Sequence, residues 1–201
     1  MKKYRIRPNS IADRAGEILV SIALLIGLTF LIASSIQPKE VTEELPDIEI
    51  TTDNYTYNVP LASELQLYIK TTCDEYGVDP VLVIAMIGVE SSYNADAIGD
   101  GGDSVGLMQV QEKWHGERMA RLGASDLTNP YENVTVGIDY IAEQLAQGKG
   151  IEWALHAYNG GVQYANEMTA SGQVSDYAAK VMAEAYKLTS ERRTNERLDR
   201  K

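Results

Sequence analysis

The nine residues from Val81 to Val89 constrain this chain more than any others: eight are apolar, with Gly88 the exception. A helix that is apolar on every side is stable only when other elements enclose it. Asp79 supplies an N-cap and Pro80 fits the first helical position. The pattern therefore predicts a helix through the middle of a domain, delivering Glu90, Ser91, Ser92, Tyr93 and Asn94 at its end.

The flanking sequence supplies the elements that would enclose it. Pro60 fits a first turn, Leu61, Leu65, Tyr68, Ile69 and Cys73 form an apolar stripe, and Gly77 is a stop. A short helix is expected from Trp114 to Leu122. Asn129 and Pro130 open another, with Val134, Ile138, Ile141 and Leu145 on one face and Gly148 beyond its end. Ile151 to Tyr158 form a further helix stopped by Gly160 and Gly161. Val162 to Thr169 and Ser175 to Leu188 supply the last two, the latter buried through Tyr177, Val181 and Leu188. Ile98 to Ser104 is too glycine-rich for regular structure, and a small hairpin between residues 98 and 110 is the one strand left open. The expected fold is all-α, α+β at most, with one domain over residues 59–190 and a charged, frayed tail at 191–201.

Ahead of this domain, Ile18 to Ile36 run for 19 residues without a charge. As a helix at ~1.5 Å per residue such a run spans a hydrocarbon core of ~30 Å. Lys2, Lys3, Arg5, Arg7 and Arg14 precede it, whereas Glu40, Glu43, Glu44, Asp47 and Glu49 follow it. The positive-inside rule then puts residues 1–17 in the cytoplasm, 18–36 in the membrane and the rest outside. A cleaved signal peptide is the alternative, opposed by the length of the run and the lack of a clean Ala-x-Ala site. Residues 37–58, with Pro38, Pro46 and their acidic neighbours, read as an extended tether. The expectation is a single-pass protein of the cell membrane with an extracytoplasmic C-terminal domain.

The net charge of −11 is uneven: the first 17 residues carry a local +3, which leaves −14 on the remainder. A body with so large an acidic excess is repelled by a phosphate backbone and cannot trade its counterions for Lys and Arg contacts, which argues against nucleic acid as a partner. Cys73 is the only cysteine, which rules out an intramolecular disulfide, and its place on an apolar stripe reads as a small buried hydrophobe. His115 and His156 stand alone, without metal-ligand spacing, so neither a metal nor another cofactor is expected.

Glu90 is the chemical oddity of the central helix. A carboxyl at the end of a buried helix loses hydration, which raises its pKa and keeps it protonated near neutral pH. Cleaving a glycosidic bond needs such a proton donor for the leaving oxygen. A carboxylate that simply faces water is the plainer reading of that position alone.

The wider constellation favours the catalyst. Glu90-Ser91-Ser92-Tyr93-Asn94, Gly106-Leu107-Met108-Gln109 and Ala157-Tyr158-Asn159-Gly160-Gly161 follow one another in an order and spacing that resembles the soluble lytic transglycosylase family, with its goose-lysozyme-like catalytic domain. The resemblance covers about residues 60–190 and implies a lysozyme-like α fold. It implies that Glu90 is the single acid and then base, that Ser91 and Asn94 shape the turn after the helix, and that Met108 and Gln109 line the sugar cleft. It further implies that Tyr158 hydrogen-bonds near Glu90 and that Asn159 lies beside the bound sugar. The family's substrate is peptidoglycan, and its product carries a 1,6-anhydro ring because the muramoyl 6-hydroxyl attacks its own anomeric carbon. A tethered nucleophile of this kind needs no second carboxylate to activate water.

Three departures or alternatives accompany the resemblance. The family commonly has proline after the position of Asn94, and here Ala95 implies a less rigid turn. Asp100 and Asp103 precede Gly106, and either one holding a water against the sugar would make the enzyme a hydrolytic muramidase; an acidic turn is their plainer reading. A non-catalytic wall-binding scaffold is the remaining class. Secretion, conjugation or other envelope machinery are the partners that would suit a small tethered wall lyase.

Overall fold

The computed structural model describes residues 56–198, with side chains through residue 192. Among the described residues six helices carry the fold: α1 (Ser63–Tyr76), α2 (Pro80–Ser91), α3 (Glu112–Leu122), α4 (Pro130–Leu145), α5 (Ile151–Ser171) and α6 (Asp176–Leu198). The expected central helix is α2. Asp79 caps it by accepting from the Val81 amide at 3.0 Å, and Leu82 to Ile87 are buried without a break. Each such side chain removed from water contributes roughly 1.5–3 kcal/mol, so this one segment anchors the whole arrangement. The first half of α6 lies along α2, α1 packs on α4, and α4 packs on α5.

Cys73 lies in the same core, fully buried. Loss of hydration, with Asp74 and Asp79 nearby, pushes its thiol up to about 12, which leaves it a packing residue.

Between α2 and α3 the chain makes a small antiparallel sheet of three two-residue strands, β1 (Ile98–Gly99), β2 (Ser104–Val105) and β3 (Val110–Gln111), in that order. Ile98 pairs with Val105, and Val105 with Val110. A 3-10 turn, Asp100–Gly102, joins the first two strands. The fold is thus helical with a minimal β element, at the α+β limit of the expectation.

Two boundaries differ from the sequence reading. Pro60 lies outside α1, because the Gln66 side chain claims the backbone ahead of the helix. Its Oε1 accepts from the Tyr57 amide at 2.7 Å, and its Nε2 donates to the carbonyls of Tyr57 and Leu61. At the other end, α6 runs past Leu188 to Leu198.

The break expected at Gly160 and Gly161 is present as a kink inside α5. Gly161 has φ 82° and ψ 168°, a conformation open essentially to glycine alone. Among the described residues no helix is long and apolar enough to cross a membrane. The basic segment 1–17, the apolar run 18–36 and the tether as far as residue 55 lie outside them.

Candidate active site

Glu90 occupies the last turn of α2, half-buried. The Tyr177 hydroxyl, from the first turn of α6, donates to its Oε1 at 2.7 Å. Burial raises the Glu90 pKa, the Tyr177 bond lowers it, the charge of Asp100 raises it again, and the balance is about 7. A carboxyl poised there can give up a proton and take one back at neutral pH. Burial and the nearby Glu90 hold the hydroxyls of both Tyr158 and Tyr177 well above the ordinary tyrosine range, so both act as hydrogen-bond donors.

The turn after Glu90 is built by its own side chains. Ser91 Oγ donates to the Ile87 carbonyl at 3.1 Å, and Asn94 Oδ1 accepts from the Asp96 amide at 3.0 Å. Ala95, in place of a proline, is half-buried against the core. Ser92 and Tyr93 both hold positive φ, as do Asp100 and Gln109. Four non-glycine residues in this sparsely allowed region, all in the segment from the end of α2 to β3, are backbone strain that the surrounding packing sustains.

The Gly106 to Gln109 block packs differently from the expectation. Met108 does not line a cleft: its side chain is fully buried and fills the space that Gly137 of α4 leaves open. What it offers the site is its backbone carbonyl, which accepts from the Tyr158 hydroxyl at 2.9 Å. Tyr158 therefore bonds to this loop, close enough to Glu90 for the two to interact electrostatically, while Tyr177 bonds the Glu90 carboxyl itself. Leu107 is core, as the plainer reading had it. Gln109 is half-buried, its amide donating to the carbonyls of Ala97 and Gly106. Asn159 is exposed at the end of the first half of α5.

The two aspartates separate. Asp100 accepts from Ser104 Oγ at 2.6 Å and Gln111 Nε2 at 2.9 Å, and its charge reaches Glu90. Asp103 is exposed and paired with Lys113, and it is not among the groups that shift Glu90. Among the described residues no group of three or more His, Cys, Asp or Glu could hold a metal ion.

Supporting residues that the sequence did not single out hold these pieces together. Asn133, fully buried on α4, accepts from the Met108 amide at 2.9 Å and donates to the carbonyls of Val105 and Leu127. Tyr140 stacks on Tyr158 with ring centroids 5.0 Å apart, and the Arg118 guanidinium lies 4.8 Å from the centroid of the Tyr140 ring. Asn129-Pro130 marked the start of α4, but nothing in the local sequence marks Asn133 as the staple of a loop 25 residues upstream.

Residues 67–189 match the family model of the transglycosylase SLT domain, more than half of the chain. The chain belongs to the SLT transglycosylase family. SLT relatives include membrane-bound lytic murein transglycosylase C of Serratia proteamaculans, 31% identical over 81 residues, which are 37% of this chain and 22% of that protein. The endo-type membrane-bound lytic murein transglycosylase A of Salmonella paratyphi B is 35% identical over 74 residues, 33% of this chain and 36% of that protein. The matched SLT segments thus span about a third or less of these relatives.

Among solved structures, an inactive mutant of lytic transglycosylase Slt from Pseudomonas aeruginosa superposes with a TM-score of 0.55 at 19% identity, over 63% of this chain and 24% of that one. The 70 kDa soluble lytic transglycosylase of Escherichia coli gives 0.51 at 18% identity, over 59% and 23%. These likenesses establish that the helical SLT fold is shared.

Proposed function

We propose that this chain is a membrane-anchored lytic transglycosylase of peptidoglycan, cleaving the β-1,4 bond between MurNAc and GlcNAc and leaving a 1,6-anhydro-MurNAc end. The observation that carries this reading is the Glu90 carboxyl, held near a pKa of about 7 at the end of a buried helix and bonded by Tyr177.

Protonated Glu90 gives its proton to the bridging oxygen as the bond from that oxygen to the anomeric carbon breaks. The resulting carboxylate, steadied by the Tyr177 hydroxyl, takes the proton of the MurNAc 6-hydroxyl as that oxygen closes on the same carbon. Glu90 ends protonated, and no water is consumed. Ser91, Asn94, Gln109, Tyr158 and Asn159 form the surroundings in which the sugar would lie, with Met108 acting through its carbonyl.

The apolar run 18–36 is the proposed anchor, with the N-terminus cytoplasmic and the catalytic domain outside. The membrane-bound relatives support it. The partners that follow are the glycan strands and, beside them, secretion, conjugation or other envelope machinery.

A second reading, hydrolysis by a muramidase, is favoured at one point only: Asp100, unlike Asp103, acts electrostatically on Glu90. Digesting peptidoglycan in H2(18)O separates the two by mass spectrometry. Transglycosylation leaves unlabelled anhydro ends, and hydrolysis leaves labelled reducing ends. Glu90→Gln should lower turnover roughly 10²- to 10⁴-fold with the fold retained, and an undiminished rate in that variant would remove Glu90 as the catalyst.

A further inference from the structure

We infer that His156 is a positioning residue for Glu90, acting through the start of α6 and the hydroxyl of Tyr177. The inference rests on the proposed role of Glu90, although each contact in it stands on geometry alone.

His156 lies in the first half of α5 and is 1% exposed. Its Nε2 is 3.1 Å from the backbone nitrogen of Ser175, a buried contact. A backbone amide can only donate, so Nε2 is the acceptor and a neutral ring carries its proton on Nδ1. That Nδ1 is buried and has no hydrogen-bond partner among the described residues.

Ser175 uses its remaining groups to open α6. Its Oγ accepts from the Ala178 amide at 3.1 Å, and its carbonyl accepts from Ala179. This is the bonding of an N-cap. Tyr177 sits inside the turn so capped and reaches Glu90 at 2.7 Å. One residue therefore joins the two events: the Ser175 amide ties back to α5, and its hydroxyl sets where Tyr177 begins its reach.

The covalent route between the same points is longer. From His156 the chain passes the kink at Gly161, the second half of α5, then Gly172 and the exposed Gln173 and Val174. The imidazole bypasses that route with one contact. An apolar side chain of similar volume would fill the space without burying an unpaired donor. A histidine at so buried a point has a role beyond filling space when its ring nitrogen bonds another element, and the tie to Ser175 is that role.

The consequence is specific. The Tyr177 bond favours the charged form of Glu90 and lowers its pKa, so a slack α6 start should let that pKa rise. The test is a carboxyl 13C NMR titration of Glu90 in the full chain, together with turnover on peptidoglycan, for His156→Leu, His156→Gln, Tyr177→Phe and the double variant of His156→Leu with Tyr177→Phe. Gln offers its Oε1 near the position of Nε2 and should restore the wild-type titration.

His156→Leu should shift Glu90 upward in the same direction as Tyr177→Phe, and lower kcat roughly tenfold with KM within about twofold. In the Tyr177→Phe background it should add nothing. If leucine prevents folding, His156→Met, unbranched and adaptable, carries the same comparison. An unmoved Glu90 titration in the acceptor-free variant, or a shift that adds fully to that of Tyr177→Phe, overturns the relay. Because the titration does not depend on catalysis, a shifted Glu90 in a protein that leaves peptidoglycan intact would keep the relay and reject the proposed function.

Discussion

The Tyr177 hydroxyl and the Glu90 carboxyl are 87 residues apart in the chain and 2.7 Å apart in the fold. The bond exists because the first turn of α6 packs on the last turn of α2. It opposes the effect of burial, so the acidity of Glu90 is a balance between two elements and not a property of one.

Removing the hydroxyl should tip that balance. Tyr177→Phe leaves the ring in place and deletes the donor, so the Glu90 pKa should rise above about 7. The alkaline limb of the pH–rate profile, where the acid form is lost, should move to higher pH. A limb unchanged in the variant would mean that Tyr177 does not act on the carboxyl in solution.

The two aspartates of the β1–β2 turn should behave differently. Asp100→Asn removes a charge that raises the Glu90 pKa, and its alkaline limb should move to lower pH, opposite to Tyr177→Phe. Asp103→Asn breaks an exposed pair with Lys113 and should alter stability by less than about 1 kcal/mol with the pH profile kept. Equal profiles for the two variants would contradict the placement of Asp100 as the nearer charge.

Glu90 should also make the fold less stable as pH rises. Its pKa is about 7 in the folded chain against an ordinary 4.5, so the folded state holds the proton more tightly. The contribution is fully present below about 4.5, declines as pH rises and is gone above about 7. Glu90→Gln should therefore be more stable than wild type at alkaline pH, by at most on the order of 3 kcal/mol. The difference should vanish in acid. Thermal melts at both ends of this range check it, and a gain independent of pH would assign it to something other than ionisation.

Asp139 behaves with the opposite sign. It accepts from Arg118 at 2.8 Å and from Arg121 at 2.7 Å. Burial alone would raise its pKa, but the Arg121 bond and charge, with Arg118, hold it below the ordinary 3.8. Its contribution is present above that value and is lost as pH falls through the depressed one. Asp139→Asn should cost about 2 kcal/mol near neutral pH, and much less in strong acid. A urea midpoint measured across pH would show the difference closing.

Much of this was readable from the residues, for identifiable reasons. The cap at Asp79, the unbroken apolar run of α2 and the kink at Gly161 are local signals, set by backbone preference and periodicity. Glu90 stood out because a carboxyl ends that run. Tyr177 did not, because a tyrosine on an apolar stripe looks like core until the helix opposite its hydroxyl is known. Met108 was turned the wrong way because a loop has no period from which to read inside and outside. Pro60 was drawn into α1 because the competing bonds come from Gln66, a side chain later in the chain. The misses at Tyr177 and Met108 are contacts between distant segments, and the one at Pro60 is a nearby side chain outcompeting a helix start.

Glu90 stands in the last turn of a helix whose preceding turns are enclosed by the core, so its backbone is fixed by that core and not by a loop. On the function proposed above, a glycan strand would be shaped to meet an acid whose backbone stays in place. Binding energy gathered along that strand would then go into deforming the sugar and not into relocating the proton donor.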